Sequence, residues 1–140
     1  MSQSEEQSKE TPVPFSRQPR NPNHDPTSPY YLHPSDNPGA VITSIVFGDE
    51  NYDLWGKAVR NLFMAKNKLG FIDGSISRRE LKEGEEESIE FLLTVNAWHT
   101  CNSMLMAWLL NVIKPSLHSS VGYAVTAKTM WDDLKERYGV

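Results

Sequence analysis

Proline is distributed very unevenly along this chain, and its distribution sets the main limit on the fold. Eight of the nine prolines lie between Pro12 and Pro38, whereas all four tryptophans lie after residue 50. Proline fixes φ and lacks a backbone donor, so the first segment is poorly suited to helices and sheets. The segment is also rich in Ser, Asn, Gln and Glu, and it buries too little apolar surface to offset its ordering entropy. We therefore predict a disordered Pro-rich arm over residues 1–30 and a helical domain over residues 31–140.

Length and charge exclude several classes of protein. A chain of 140 residues fits one domain, and a net charge of −4 does not fit a basic nucleic-acid coat. A single cysteine, Cys101, excludes an internal disulfide and a cysteine-rich zinc site, and it suits a reducing compartment. Met1–Glu10 is polar and acidic, unlike a signal peptide, and the apolar stretch Met104–Ile113 is too short to span a bilayer. We expect a cytoplasmic protein without a membrane segment.

Hydrophobic spacing predicts the first two elements of the domain. The β-branched run from Val41 to Phe47 favours a short extended segment. A helix is then expected to begin at a cap on Asp49 or Asn51 and to end at Leu69, with Gly70 in the left-handed conformation. Its apolar stripe consists of Tyr52, Trp55, Val59, Leu62 and Phe63.

The sequence predicts three further helices in the second half of the chain. A long helix is predicted from Glu85 to Ile113, with a break near Thr94 or Asn96 left open. Pro115 ends it, and a short helix is expected from Pro115 to Val121. Thr126 is the expected N-cap of the last helix. The sequence has no clear closing signal after this helix, which is the pattern expected of a domain truncated at its C-terminus.

No set of residues in the sequence has the spacing of a catalytic or metal site. Cys101 and His99 are two residues apart, so they do not face each other on a helix. The four histidines match no zinc spacing, and no phosphate-binding glycine motif occurs. The glutamates from Glu83 to Glu90 fit a hydrated helix start. We expect no enzyme activity, no cofactor, no metal ion and no small-molecule substrate.

Basic residues offer one candidate binding surface. Between Asp49 and Lys82 there are seven basic and five acidic residues, and a solvated helix surface explains this small excess better than a binding site does. The residues that would contact nucleic acid are Lys57, Arg60, Lys66 and Lys68. Aromatic residues at helical spacing are instead expected in the core: Tyr52, Trp55, Trp98, Trp108 and Trp131.

Several ordered motifs resemble the N-terminal Gag-like region of plant copia-type LTR retrotransposon polyproteins. The resemblance covers residues 30–140. Its motifs are Tyr31–Gly39 (YLHPSDNPG), Gly48–Trp55 (similar to G-x-N-Y-x-x-W with one extra residue), Lys66–Ile76 (KNKLGFIDGSI), Trp98–Asn111 (similar to W-x-x-C-N-x-x-x-x-x-W-L-L-N) and Ala127–Tyr138 (similar to A-x-x-x-W-x-x-L-x-x-R-[FY]).

The resemblance implies a mainly α, capsid-like structural domain that acts by association with other Gag chains. In the family such regions assemble into particles around element RNA, and the protease, integrase and reverse transcriptase lie downstream. The zinc knuckle that holds RNA in the family needs three cysteines, so this chain cannot form one. RNA binding through the first helix is the alternative function. Any exposed part of the Leu109 or Leu134 faces is the expected assembly surface.

Overall fold

The computed structural model describes residues 20–139, and within them the chain forms five α-helices. They are α1 (Tyr52–Ala65), α2 (Gly70–Asp73), α3 (Ile89–Asn111), α4 (His118–Val121) and α5 (Ala127–Tyr138), with 3-10 turns at Pro22–His24 and Pro115–Leu117. The prediction of a mainly α fold is confirmed. Residues 1–19 of the predicted arm lie outside the described residues.

Residues 20–30, which the proline pattern assigned to the arm, instead pack against α3. Asn23 is buried, and its Nδ2 donates to the carbonyls of Tyr30 (2.8 Å) and Ala97 (3.2 Å). The thiol of Cys101 also donates to the Tyr30 carbonyl, at 3.1 Å. One buried amide therefore fixes a segment whose prolines already restrict the unfolded backbone.

Helix α1 begins where expected but ends earlier. The side chain of Asn51, the N-cap residue, accepts from the Gly48 amide and donates to the Val46 carbonyl, both at 2.9 Å. The helix ends at Ala65, and the left-handed residue after it is Asn67 (φ 59°). The predicted end at Leu69 with a left-handed Gly70 is wrong, because an asparagine supplies the left-handed conformation one turn earlier.

Gly70 has a different role, as the first residue of α2. A Cβ at this position would lie 2.5 Å from the Ile76 side chain, so glycine permits the chain to return close to the helix start. Gly74 ends α2 with φ 88°, and the Asp73 side chain accepts from the Ser75 amide at 2.8 Å. Asp73 and Gly74 thus form a tight turn at the end of α2.

Helix α3 is continuous, without a break at Thr94 or Asn96. Ser88 caps it by accepting from the Phe91 amide at 3.0 Å. The predicted start at Glu85 is too early, because the Glu85 carboxylate accepts from the Lys82 amide and pairs with Arg79 in the preceding loop.

The extended segment before α1 forms only one bridge. Phe47 lies parallel to Ile113, with its amide donating to the Val112 carbonyl and its carbonyl accepting from the Lys114 amide, both at 2.8 Å. Within residues 20–139 no strand forms around this bridge, so the β-branched run from Val41 has no partner to extend a ladder.

The last helix is joined to α3 by a buried asparagine. Thr126 caps α5 by accepting from the Thr129 amide at 3.0 Å, which confirms the predicted N-cap. The Asn102 side chain accepts from the Ala127 amide (2.8 Å) and donates to the Val125 carbonyl (3.2 Å). This link fixes the start of α5 against the middle of α3.

An aromatic core joins these elements. The ring of Trp55 stacks on Trp131 with centroids 5.5 Å apart, and Phe47 lies 5.2 Å from Trp55. Leu109 and Leu134 are completely buried. Neither side chain is therefore available for an assembly surface on the Leu109 or Leu134 face, since both fill this core.

Candidate functional site

A groove of about 1030 Å³ lies between the loop after α2, the middle of α3 and the start of α5. Its floor is aromatic. Trp98 donates from Nε1 to the Ile76 carbonyl at 3.1 Å, and Phe71 lies 6.4 Å from Trp98 between ring centroids. The indole N–H is thus used within the chain, so the tryptophan presents only an apolar edge to the groove.

Charges around this groove are largely compensated. Arg79 pairs with Glu85 and lies 5.1 Å from the centroid of the Phe91 ring. Lys128 pairs with Asp132 along α5. The exposed cations that remain are Arg78 and Lys82, and Glu80 lines the same groove. The groove therefore has a small positive excess and does not form a strong phosphate site.

The four predicted nucleic-acid contacts do not form one surface. Lys57 and Arg60 are exposed on α1. Lys66 forms an ion pair with Asp36 at 2.9 Å and lies 4.9 Å from the centroid of the Trp108 ring. A phosphate would have to compete with both the carboxylate and the indole for this ammonium group.

The sequence predicts Lys68 as a surface contact for nucleic acid, and this prediction is wrong because the residue lies in the interior. Only 3% of the residue is exposed, and Nζ donates to the Lys66 carbonyl at 3.4 Å. Burial lowers the pKa of its amine, because a charged group is poorly solvated there. Lys68 reaches the interior because Asn67, with its left-handed backbone, turns the chain inward directly after α1.

The core residues predicted from the family motifs lie inside the molecule or at its edge. Trp55, Trp98, Trp108 and Trp131 are buried, and Tyr52 is half-buried against Trp131 with centroids 6.3 Å apart. Trp108 donates from Nε1 to the Asn37 carbonyl at 2.8 Å. This contact joins the segment before α1 to the last turn of the long helix.

The surroundings of Cys101 make its thiol unreactive. Burial raises the pKa of its thiol to about 11, and the thiol is hydrogen bonded to Asn23 and Tyr30. A protonated, buried thiol is a poor nucleophile. His99, the nearest histidine in sequence, is exposed on the helix surface.

Large apolar side chains are exposed at several places within residues 20–139, and two of these places lie on regular helices. On α1, Leu54 and Met64 are 60% and 62% exposed and lie on the same side as Lys57 and Arg60. At the start of α3, Ile89 and Leu92 are 66% and 49% exposed, next to Glu86, Glu87 and Glu90. Exposed apolar side chains next to charged residues are candidates for contacts with another protein.

The positions of these apolar residues in the sequence indicate that they lie away from the core. Leu54 and Met64 fall outside the apolar stripe of α1, and Ile89 lies within the stretch of glutamates from Glu83 to Glu90. The groove had no such signal, because it depends on the path of the loop between Gly74 and Ser88.

Within residues 20–139, no group of histidine, cysteine and carboxylate side chains is arranged to hold a metal ion. Among the helices of the same residues, none has the apolar length needed to cross a bilayer.

The fold and these surfaces define a small helical domain without an evident reaction centre in its described part. Residues 33–78 match the family model described as the Gag-polypeptide of LTR copia-type. The chain is also 26% identical over 88 residues to the retrovirus-related Pol polyprotein from transposon RE1 of Arabidopsis thaliana. The corresponding polyprotein from transposon RE2 of the same plant matches with the same identity and length.

The resemblance seen in the sequence is thereby confirmed: residues 33–78 are similar to a copia-type Gag polypeptide, and the polyprotein relatives come from plant retrotransposons. Each match covers 63% of this chain but only 6% of the polyprotein. The chain thus spans a small part of the relatives it matches. No solved structure matches the chain significantly. A Gag polypeptide is a structural component, so the comparisons support a structural role.

Proposed function

We propose that this chain is a non-enzymatic building block that associates with further copies of itself or with other Gag chains in the cytoplasm. The exposed apolar side chains on its helices are the observation that carries the proposal. Leu54, Met64, Ile89 and Leu92 lie on regular helices, so the backbone that carries them is ordered before any partner binds. Binding then orders only the side chains, which lowers its entropic cost.

The core supports the same function by holding these surfaces in place. Buried asparagines and tryptophans join separate parts of the chain, as Asn102 joins α3 to α5 and Trp108 joins α3 to Asn37. An assembly unit needs such a rigid body, because each contact must form with the same geometry in every copy.

Sedimentation velocity and light scattering across a concentration series test this proposal. The mean mass of the 140-residue chain should rise with concentration, as expected for weak contacts that multiply in an assembly. A mass that stays monomeric up to ~1 mM, where a contact of about −4 kcal/mol is half occupied, would overturn it.

RNA binding is a second candidate because Lys57 and Arg60 are exposed and outside any ion pair within residues 20–139. Two neutralised phosphates would give single-stranded RNA binding a log–log salt slope of about −1.4. Fluorescence anisotropy with a labelled RNA checks this value. A slope that Lys57→Ala/Arg60→Ala leaves unchanged would contradict binding through α1.

A further inference from the structure

The outer side of α1 is a basic surface with an apolar border. We call Leu54, Lys57, Arg60 and Met64 the α1 face. At 100° per residue, Leu54, Lys57 and Met64 fall within a single stripe of the helix, with Arg60 on its flank. A depression of about 440 Å³ lies beside Lys57 and Arg60 and reaches down to Gly56. Asp53 is the acidic residue at its edge, so the face keeps a net positive charge.

The start of α3 has the opposite charge. We call Glu86, Glu87, Ile89, Glu90 and Leu92 the α3 entry. All five residues are exposed, and none of the three carboxylates forms an ion pair within residues 20–139. The Ser88 cap fixes the backbone between them. The entry therefore presents two apolar side chains on a rigid turn, surrounded by negative charge.

These two surfaces complement each other in both charge and apolar content. We propose that the α1 face of one copy receives the α3 entry of the next copy. The proposal rests on the self-association proposed above and names the contact through which it occurs. Ile89 and Leu92, one turn apart, would pack on Leu54 at the depression while the carboxylates approach Lys57 and Arg60. Met64, about 15 Å from Leu54 along α1, would lie at the border of the contact.

Repulsion between like charges favours contact between an α1 face and an α3 entry over contact between two copies of the same surface. Two α1 faces would bring Lys57 and Arg60 of one copy against the same cations of another, and two α3 entries would oppose their carboxylates. Both arrangements are repulsive. A contact between unlike surfaces leaves one free face and one free entry at the ends of every pair. Association can therefore continue into rings or open arrays.

Charge reversal on each surface tests this contact. The variants are Lys57→Glu/Arg60→Glu on the α1 face, Glu86→Lys/Glu87→Lys on the α3 entry, and the chain with all four substitutions. The control is Lys114→Glu/Lys135→Glu, which reverses two exposed cations outside both surfaces. Sedimentation velocity gives the concentration of half-association, and far-UV circular dichroism with thermal unfolding verifies that each variant is folded.

Each two-residue variant should raise the concentration of half-association at least about tenfold. Mixing these two variants, or combining all four substitutions, should return it to within about threefold of the unsubstituted chain, because opposite charges again meet. The control should also stay within about threefold.

The outcomes separate the contact from the proposed function. If the unsubstituted chain associates but the two-residue variants associate equally well, or if mixing them fails to restore association, the contact is wrong and self-association stands. If the unsubstituted chain remains monomeric, both are wrong. Loss of RNA binding in Lys57→Glu/Arg60→Glu without any change in association would assign the α1 face to RNA and overturn this contact.

Discussion

At the scale of single residues, Lys68 is in the least favourable environment for its charge. It is buried beneath the chain after α1, and burial lowers the pKa of its amine. We expect Lys68→Met to raise the free energy of unfolding by about 1 kcal/mol at pH 7, because an apolar side chain of similar size needs no solvation. Urea unfolding at pH 7 measures the change.

The pH dependence provides an internal check on Lys68. The unfolded chain holds this proton more tightly than the folded chain, so the stability of the native sequence rises between the lowered pKa and the ordinary value of 10.5. The advantage of Lys68→Met should shrink over that window. Exposed Lys57→Met serves as the control and should change stability by less than about 0.5 kcal/mol. A destabilised Lys68→Met would show that the ammonium group has a stabilising partner.

Cys101 contributes a pH effect of the opposite sign. Burial raises the pKa of the thiol from 9.0 to about 11, so the unfolded state loses its proton first and stability falls as the pH rises through this interval. The full contribution is about 3 kcal/mol, since the pKa rises by about two units and one unit corresponds to about 1.4 kcal/mol. Cys101→Ala should remove this loss.

The Lys68 ammonium group and the Cys101 thiol affect each other's pKa, so the comparison is made in the Lys68→Met background, where the Lys68 titration is absent. The unfolding free energies of Lys68→Met and of Lys68→Met/Cys101→Ala are measured with urea under reducing conditions at pH 8 and at pH 11. The change between the two pH values is then compared between the two chains. An identical pH dependence of the two chains would show that the thiol titrates normally. The cost of the small cavity appears at both pH values and does not affect the result.

At the scale of helices, the predictions were accurate where local chemistry decides the structure. Thr126 was identified as a cap because a hydroxyl before an apolar stripe satisfies free amides, and it does so. Ser88 was missed because the glutamates before it also suit a helix start. Those glutamates are instead used outside the helix, as the pairing of Glu85 with Arg79 shows.

The cap on α3 is open to a direct test. Ser88→Ala should lower the free energy of unfolding by about 1 kcal/mol, because the Phe91 amide loses its acceptor. The matched control is Ser103→Ala, at an exposed position within the same helix, which should be neutral or slightly stabilising. Chemical unfolding measures both. Equal effects of the two substitutions would mean that the hydroxyl of Ser88 is not used as a cap.

At the scale of the molecule, the sequence could not predict the contacts between distant segments. Asn23, Asn102 and Asn111 each donate a side-chain amide to a distant backbone carbonyl. Asparagine is common in loops, so its presence carries no signal for such a partner. The packing of residues 20–30 and the interior position of Lys68 both follow from long-range contacts that periodicity does not encode.

Trp108 makes further long-range contacts of its own, so its removal should affect the whole domain. The indole is buried, packs near Phe63 with centroids 6.4 Å apart, holds Lys66 over its ring and donates to the Asn37 carbonyl. Trp108→Ala should cost roughly 3–5 kcal/mol. It should also increase protease cleavage between residues 31 and 40, because that segment loses an anchor.

The control for Trp108 is Tyr123→Ala, since Tyr123 is 93% exposed and its loss should change stability by less than about 0.5 kcal/mol. Urea unfolding and limited proteolysis of the two variants together distinguish local from global effects. A cost for Trp108→Ala below about 1 kcal/mol would mean that the indole is not part of the core. A large cost without faster cleavage near Asn37 would mean that the segment before α1 is held by other contacts, such as those of Asn111 with the Pro38 and Ala40 carbonyls.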